Sequence, residues 1–313
     1  MTLANLISKF LPNKLVLLIR PIYHLAKIKF DLKKRGINHY YDKSFQAWVV
    51  FFPIKNILPL KLICRSKKEL KRISRFGLNK KDVVWKWLNW IDKKSVLYDV
   101  GSGSGFEGLF AGHLHDSKIV FIEPYTPSIE TILKSVFVQK KRNKAKWEII
   151  HAGCTDKETF SKLGMHNAPN PGETLNTYGS DEKNYKDDGK TDRSKILIQQ
   201  WVKGVSLDSL VSKYTLDYPD FIKIDVDGHE TSVIKGAMKI IKSQKVKSWV
   251  VELTLDSTIE KITNIFKKNG YFPAEDTVHY PGYHIKTIDR VFLREDYINK
   301  WSSFSKKWDR NKN

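Results

Sequence analysis

An α/β fold, with a mostly parallel sheet carrying helices on both faces, is what this 313-residue chain predicts, and three observations predict it. From Val96 onward, short apolar runs alternate with amphipathic stretches, which is the rhythm of βαβ units. The run Val96-Leu97-Tyr98 leads straight into Asp99-Val100-Gly101-Ser102-Gly103-Ser104-Gly105-Phe106-Glu107-Gly108. There a strand turns into a helix, and glycines let the backbone turn tightly and approach a ligand. A later run, Phe221-Ile222-Lys223-Ile224, also ends on an acid, Asp225.

The elements follow in order. Residues 1 to 85 lack the βαβ rhythm and are expected to form a mainly helical, basic N-terminal extension packed on the core, with Pro12 and Pro21 interrupting its first helix. The core domain spans 86–295, and 296–313 is a basic C-terminal tail. Val96 to Val100 is the first strand. Lys118 to Ile122 is the second, ending at Glu123-Pro124, and Thr126-Pro127 opens a helix with Ile129, Ile132, Leu133 and Val136 at helical spacing. Trp147 to Ile150 is the third strand, followed by Gly153. Residues 164–193 are rich in Asn, Asp, Gly, Pro and Lys without a period, and read as a long flexible loop, a lid or simple disorder.

Trp201 to Val205 and Leu207 to Leu210 precede the buried fourth strand at Phe221 to Ile224. The next helix places Val233, Ile234, Ala237, Ile240 and Ile241 on one face. Trp249 to Val251 is a fifth strand closed by Glu252. Ser257-Thr258-Ile259-Glu260 reads as a capping box opening a helix that stops at Gly270. Tyr271-Phe272 and Arg290 to Leu293 are the last strands, joined by the aromatic and polar loop His279 to His284, suited either to stacking on a sugar ring or to a packed hairpin turn.

A formal charge of +21 implies anionic partners: nucleic acid, acidic lipid headgroups, or an acidic glycan or phosphorylated acceptor. Basic residues concentrate between Lys61 and Lys81 and in Lys140-Lys141-Arg142-Asn143-Lys144-Ala145-Lys146. These are either solvated faces or binding patches. No apolar run is long enough to span a bilayer, and Arg20-Pro21 argues against a secretory signal. Residues 1–30 hold five basic residues and no acid, which suits peripheral contact with an anionic membrane as the alternative to a packed helix. Cys64 and Cys154 have no metal-type spacing, so the expected address is reducing and cytoplasmic.

The glycine run is ambiguous by itself, because Gly103-x-Gly105-x-x-Gly108 also satisfies the dinucleotide fingerprint. Asp99 tilts the reading, since a carboxylate repels a pyrophosphate and attracts an ammonium or a sulfonium. S-adenosyl-L-methionine carries both. Asp99, Gly101, Gly103 and Gly105 resemble the first motif of class I S-adenosylmethionine-dependent methyltransferases. Leu97-Tyr98-Asp99-Val100-Gly101, Glu123-Pro124, Val205-Ser206-Leu207-Asp208-Ser209-Leu210 and the block Asp220 to Glu230, closed by Gly236, resemble the FkbM family of that superfamily. Three departures are plain: Asp227 stands where the family usually has Glu, His229 where it often has a small residue, and Ser102-Gly103 where it commonly has Ala-Asn.

The resemblance implies a Rossmann-like class I methyltransferase fold with a seven-stranded, mostly parallel sheet, S-adenosyl-L-methionine as cofactor, and O-methylation of a small-molecule hydroxyl, such as a sugar of a glycan, glycolipid or secondary metabolite. By analogy with the family, Gly153-Cys154 faces the adenine edge, Cys154 as a small packing residue rather than a reactive thiol. Position alone makes Glu123 the acceptor of the ribose hydroxyls, or else a charge partner for the next helix.

Methyl transfer needs alignment and a group that helps the acceptor hydroxyl lose its proton. Asp225 leads for that role, His229 is second, and Lys223, two residues before Asp225 on the same strand face, pairs with it or merely supports the fold. Asp225, Asp227, Glu230 and Glu252 form the alternative of a divalent-metal site, and the expected reading is that no metal is needed. Charge favours an RNA methyltransferase as second function, although no Asn-Pro-Pro-Tyr motif or catalytic cysteine pair is present. An inactive cofactor-binding or membrane-surface protein is a third reading, and an NAD enzyme a distant fourth.

Overall fold

The computed structural model describes residues 13–79, 82–139, 144–165, 170–171, 177–178, 196–278 and 287–310. The chain divides into two compact units, Met1–Phe76 and Gly77–Asn313.

In the first unit, helix α1 (Asn13–Lys34) runs through Pro21. Proline's fixed φ is helical, so a single one removes a backbone bond without stopping the helix here, contrary to the expected interruption; Pro12 lies outside the described residues. Gly36, at φ +66°, ends the helix, with Ile37 N–H donating to Leu32 O at 2.9 Å. Strands β1 (Asn38–Asp42), β2 (Ala47–Phe52) and β3 (Leu60–Cys64) then form an antiparallel sheet in the order β1-β2-β3, which the expected mainly helical extension did not include. Helix α2 (Lys67–Arg75) closes the unit. It opens with a Ser66–Glu69 capping box, and its C-terminal carbonyls at Ile73 and Ser74, with that of Phe76, accept from the Arg35 guanidinium at 3.1, 2.8 and 2.7 Å.

The second unit starts with α3 (Val83–Trp90), capped by Asp82, and is built on a seven-stranded sheet. Its strands are β4 (Val96–Val100), β5 (Lys118–Ile122), β6 (Lys146–Ile150), β11 (Phe221–Ile224), β12 (Ser248–Thr254), β13 (Tyr271–Val278) and β14 (Thr287–Arg294), in the order β13-β14-β12-β11-β4-β5-β6. All neighbours from β6 to β12 pair parallel, and β14 runs antiparallel between β12 and β13. The chain walks from β4 outward to β6 and returns on the other side at β11. The strand order therefore switches between β4 and β11, where such sheets open a crevice at their carboxyl ends. Helices α4 (Phe106–His115), α5 (Thr126–Gln139), α6 (Leu207–Ser212), α7 (Glu230–Lys235), α8 (Met238–Ser243) and α9 (Ser257–Lys268) make the crossovers. Buried aliphatics of β4, β5, β11 and β12 form the core with Val233, Ile234, Ala237, Ile240 and Ile241.

Several local expectations shift. The helix expected after Asp225 is two, α7 and α8, broken at Gly236, where a Cβ would sit 2.1 Å from Thr155 O. Asp208 caps the second, its carboxylate accepting from Lys239 and Ile240 N–H at 2.9 and 3.0 Å. Helix α9 is capped by Asp256 and not Ser257, since the Asp256 carboxylate accepts the Thr258 N–H at 2.7 Å. A second sheet is inserted between β6 and β11: β7 (Gly153–Cys154), β8 (Thr159–Met165), β9 (Thr177–Tyr178) and β10 (Ile198–Val205), in the order β7-β10-β8-β9. Thus Gly164, Met165, Thr177 and Tyr178 of the expected loop are in strands, and most of 164–193 lies outside the described residues. The C-terminal stretch forms α10 (Ile298–Arg310), whose Trp301 is buried edge-on to Trp90 with ring centres 5.1 Å apart. Among the described residues no helix is long and apolar enough to cross a membrane.

Candidate active site

The loop from β4 to α4 is held by its glycines and by three side chains. Gly101 adopts φ +71° and its N–H donates to Ile122 O at 2.9 Å. A Cβ there would lie 1.8 Å from Asp225 O, so only glycine lets the two strand ends meet at the switch point. Asp225 N–H donates to Val100 O at 3.0 Å from the other side. Gly105, at φ +75°, is the N-cap of α4, and Gly108 lets α4 press on β5, where a Cβ would be 2.5 Å from the Phe121 ring. Ser102 Oγ donates to Asp99 O at 2.6 Å and accepts from Ile122 N–H at 3.1 Å.

Asp99 is fully buried, and both its oxygens are engaged inside the protein. Oδ1 lies 3.3 Å from Lys223 Nζ, and Oδ2 accepts the Gly108 N–H at 3.2 Å. Burial lifts the Asp99 carboxyl above its ordinary range while Lys223 pulls it down. For Lys223 burial favours the neutral amine, yet the carboxylates of Asp99 and Asp225 overcome it and hold the group cationic. Lys223 Nζ also stands 3.6 Å from Asp225 Oδ2. The pairing expected between Lys223 and Asp225 is present, and a closer one to Asp99 accompanies it.

Glu123 follows β5 as a buried carboxylate. Its Oε2 accepts from Gly103 N–H at 2.7 Å and its Oε1 from Tyr125 N–H at 2.8 Å. Burial pushes its carboxyl up to about 7 against the pull of those two N–H donors. Gly103 and Glu123 are thereby joined into one structure. Gly153 and Cys154 form β7, paired in parallel with Gly204 and Val205. Cys154 is buried in the core cluster and burial pushes its thiol up to about 12, so it is no nucleophile near neutrality.

Across the switch point, ligand oxygens of Asp225, Asp227 and Glu252 lie within 4.8 Å of one another, each residue partly exposed. Glu230, expected as a possible fourth member, is buried and accepts the Gly228 N–H of its own turn at 3.0 Å. His229 occupies the N-cap position of α7 without a side-chain cap bond. Asp289, which sequence reasoning missed, is buried on β14 in register with Glu252, and its charge reaches Lys223. Also missed were Gln200 and His151. Gln200 Nε2 donates to Pro124 O at 3.1 Å, and His151 Nε2 lies 3.0 Å from the same oxygen. These contacts fasten the inserted sheet and the turn after β6 to the Glu123 turn; neither carries a motif that would reveal them. The loop His279 to His284 lies outside the described residues.

The strand order, the glycine loop and the acids at the carboxyl ends of β4, β5 and β11 define a Rossmann-like methyltransferase. The chain belongs to the Methyltransferase FkbM domain family, which matches residues 48–273. It is an S-adenosylmethionine-dependent methyltransferase. Among solved structures, it is similar to precorrin-6y C5,15-methyltransferase of Geobacter metallireducens at 12% identity and TM-score 0.38, covering 68% of this chain and 86% of the other. It is similar also to an rRNA methylase of Streptococcus thermophilus, at 9% identity and TM-score 0.39, covering 68% and 93%. A third likeness is to TYW2 of M. jannaschii in complex with AdoMet, at 11% identity and TM-score 0.34, covering 82% and 86%. No curated protein sequence matches this chain.

Proposed function

We propose that this enzyme methylates a hydroxyl oxygen of a small molecule, a sugar unit of a glycan, glycolipid or secondary metabolite. The observation that carries the reading is the cluster of Asp225, Asp227 and Glu252, ligand oxygens within 4.8 Å of one another, directly beside the Gly101 turn. Carboxylates accept hydrogen bonds from neighbouring hydroxyls, so a polyol is their natural complement, and a strongly anionic group at the reacting end is not. An acidic group elsewhere on the acceptor suits the formal charge of +21.

In this reading the backbone from Gly101 through Gly105 lies along the methionine end of the cofactor, and Glu123 accepts the ribose hydroxyls. Gly153-Cys154 borders the adenine. Asp99 acts indirectly, by holding Lys223 and the start of α4. Bound S-adenosyl-L-methionine supplies an activated methyl group. Asp225 orients the acceptor hydroxyl and takes its proton, Lys223 steadies the Asp225 side chain, and His229 is the second candidate base. The two cysteines, both free and buried, support a reducing, cytoplasmic setting.

Isothermal titration tests the foundation: S-adenosylhomocysteine binds and NAD does not. Asp225→Asn then lowers kcat by roughly 10²-fold or more with cofactor affinity unchanged, and full activity in that variant refutes the base assignment. Labelled methyl groups are expected in a glycan or glycolipid fraction. Labelling of RNA, with binding that survives moderate salt, moves the acceptor to nucleic acid, the reading that charge alone favours. Activity lost to a chelator and restored by magnesium gives the carboxylate cluster to a metal instead.

A further inference from the structure

The inserted sheet has two unlike faces. Leu163, Met165 and Val202 point inward and are buried with Tyr125. Alternation places Phe160 and Lys162 of β8, and Trp201 and Lys203 of β10, on the opposite face, with Trp201 paired to Lys162 and Lys203 to Phe160. This outer face carries two large apolar rings in water: Phe160 is 69% exposed and Trp201 56%. Lysines surround it. Lys162 Nζ lies 5.4 Å from the Trp201 ring centre, and Lys203 and Lys213 lie 4.8 and 5.3 Å from the ring of half-exposed Tyr214. Among the described residues beside these lysines is the acid Glu158, 2.8 Å from Lys213 and 3.9 Å from Lys203.

We propose that this face docks the enzyme on an anionic lipid bilayer. Indole and phenyl rings beside lysines match the boundary between acyl chains and headgroups, where rings enter the apolar layer and ammonium groups meet phosphates. The rings argue against a single-stranded nucleic acid. Phe160 and Trp201 stack on each other, with centres 5.2 Å apart and planes at 22°, which closes the gap a base would enter. The proposed contact uses residues other than 1–30 and does not depend on the identity of the methyl acceptor.

The test is co-sedimentation of the full chain, at physiological ionic strength, with vesicles of phosphatidylcholine alone or mixed with phosphatidylglycerol. The wild-type protein is expected on the mixed vesicles only. Two double variants, Phe160→Ser with Trp201→Ser and Lys162→Glu with Lys203→Glu, are each expected to weaken partition roughly tenfold or more. Their melting temperature and S-adenosylhomocysteine binding remain those of wild type, which separates this proposal from the reading of the active site. Equal sedimentation of either variant and the wild type overturns the proposal, because the anchoring groups then lie elsewhere. Failure of the wild type to bind the mixed vesicles overturns it too. So does loss of poly(U) binding in the variants with sedimentation unaltered, which assigns the face to nucleic acid.

Discussion

Gly101 and Glu123 are single residues on which the glycine loop depends, for different reasons. At Gly101 both conformation and space demand glycine: φ is +71°, and an added Cβ would sit 1.8 Å from a backbone oxygen that cannot swing aside. Gly101→Ala is expected to destabilise the fold by about 3 kcal/mol or more and to abolish S-adenosylhomocysteine binding, as read by denaturant melts and calorimetry. Glu123 makes its prediction through pH. Its carboxyl is raised from 4.5 to about 7 in the folded protein by burial, so the folded state holds the proton more tightly than the unfolded one. Its contribution to stability is full below 4.5 and is lost as pH rises through about 7. Ligand binding has the opposite sign, because the ionised carboxylate can accept both ribose hydroxyls. Affinity for S-adenosylhomocysteine should therefore rise as pH increases across that window, and Glu123→Gln should flatten the dependence; an unchanged slope in the variant removes Glu123 from the ribose.

Between elements, the decisive contact is the pairing of β4 with β11, which sets Asp99 opposite Lys223 in register. The buried ammonium and carboxylate tie the two strands together just below the crevice. Breaking such a pair leaves an uncompensated buried charge, at a cost of about 3 to 5 kcal/mol, whereas replacing both partners with apolar residues removes that penalty. Lys223→Met alone is expected to destabilise strongly, and Asp99→Leu with Lys223→Met to recover much of the loss, as a double-mutant cycle in urea would measure. This pair also marks where sequence reasoning stops. Asp99 is legible as an acid at a strand end, and from that alone it reads as a direct partner for a cationic cofactor. That its partner is Lys223, 124 residues later in the chain, follows only from strand order, which no local pattern encodes. Much of the seven-stranded sheet was legible because β4, β5 and β11 run into a glycine or an acid and the helices after β5, β11 and β12 carry apolar stripes. The antiparallel β1-β2-β3 sheet was not, because the stretch from Ala47 to Ile63 is almost continuously apolar and lacks the period-2 alternation that marks a strand. Gln200 and His151 were invisible because the oxygen they share, Pro124 O, comes near them only through the fold.

At the scale of the molecule, the site's parts all belong to one of two units. The glycine loop, Glu123, Lys223, Asp225 and the neighbouring acids lie within Gly77–Asn313, and so does the large core cluster from Tyr98 to Phe292. The first unit has its own buried residues, among them Leu32, Val49, Val50, Leu62 and Ile73. A unit with a continuous core of its own is what an independently folding domain requires. The family match nevertheless begins at residue 48, within β2 of the first unit. These two facts pull apart on what the first unit does, and a chain comprising residues 77–313 decides between them. If the second unit is thermodynamically self-sufficient, the shortened protein unfolds in one cooperative calorimetric transition and binds S-adenosylhomocysteine within a few-fold of the full chain. Methyl transfer lost in that protein, with cofactor binding kept, assigns the first unit to the acceptor. An aggregated protein, or one melting without a cooperative transition, makes residues 1–76 part of the folding unit itself, and the family match from residue 48 then reflects stability before chemistry.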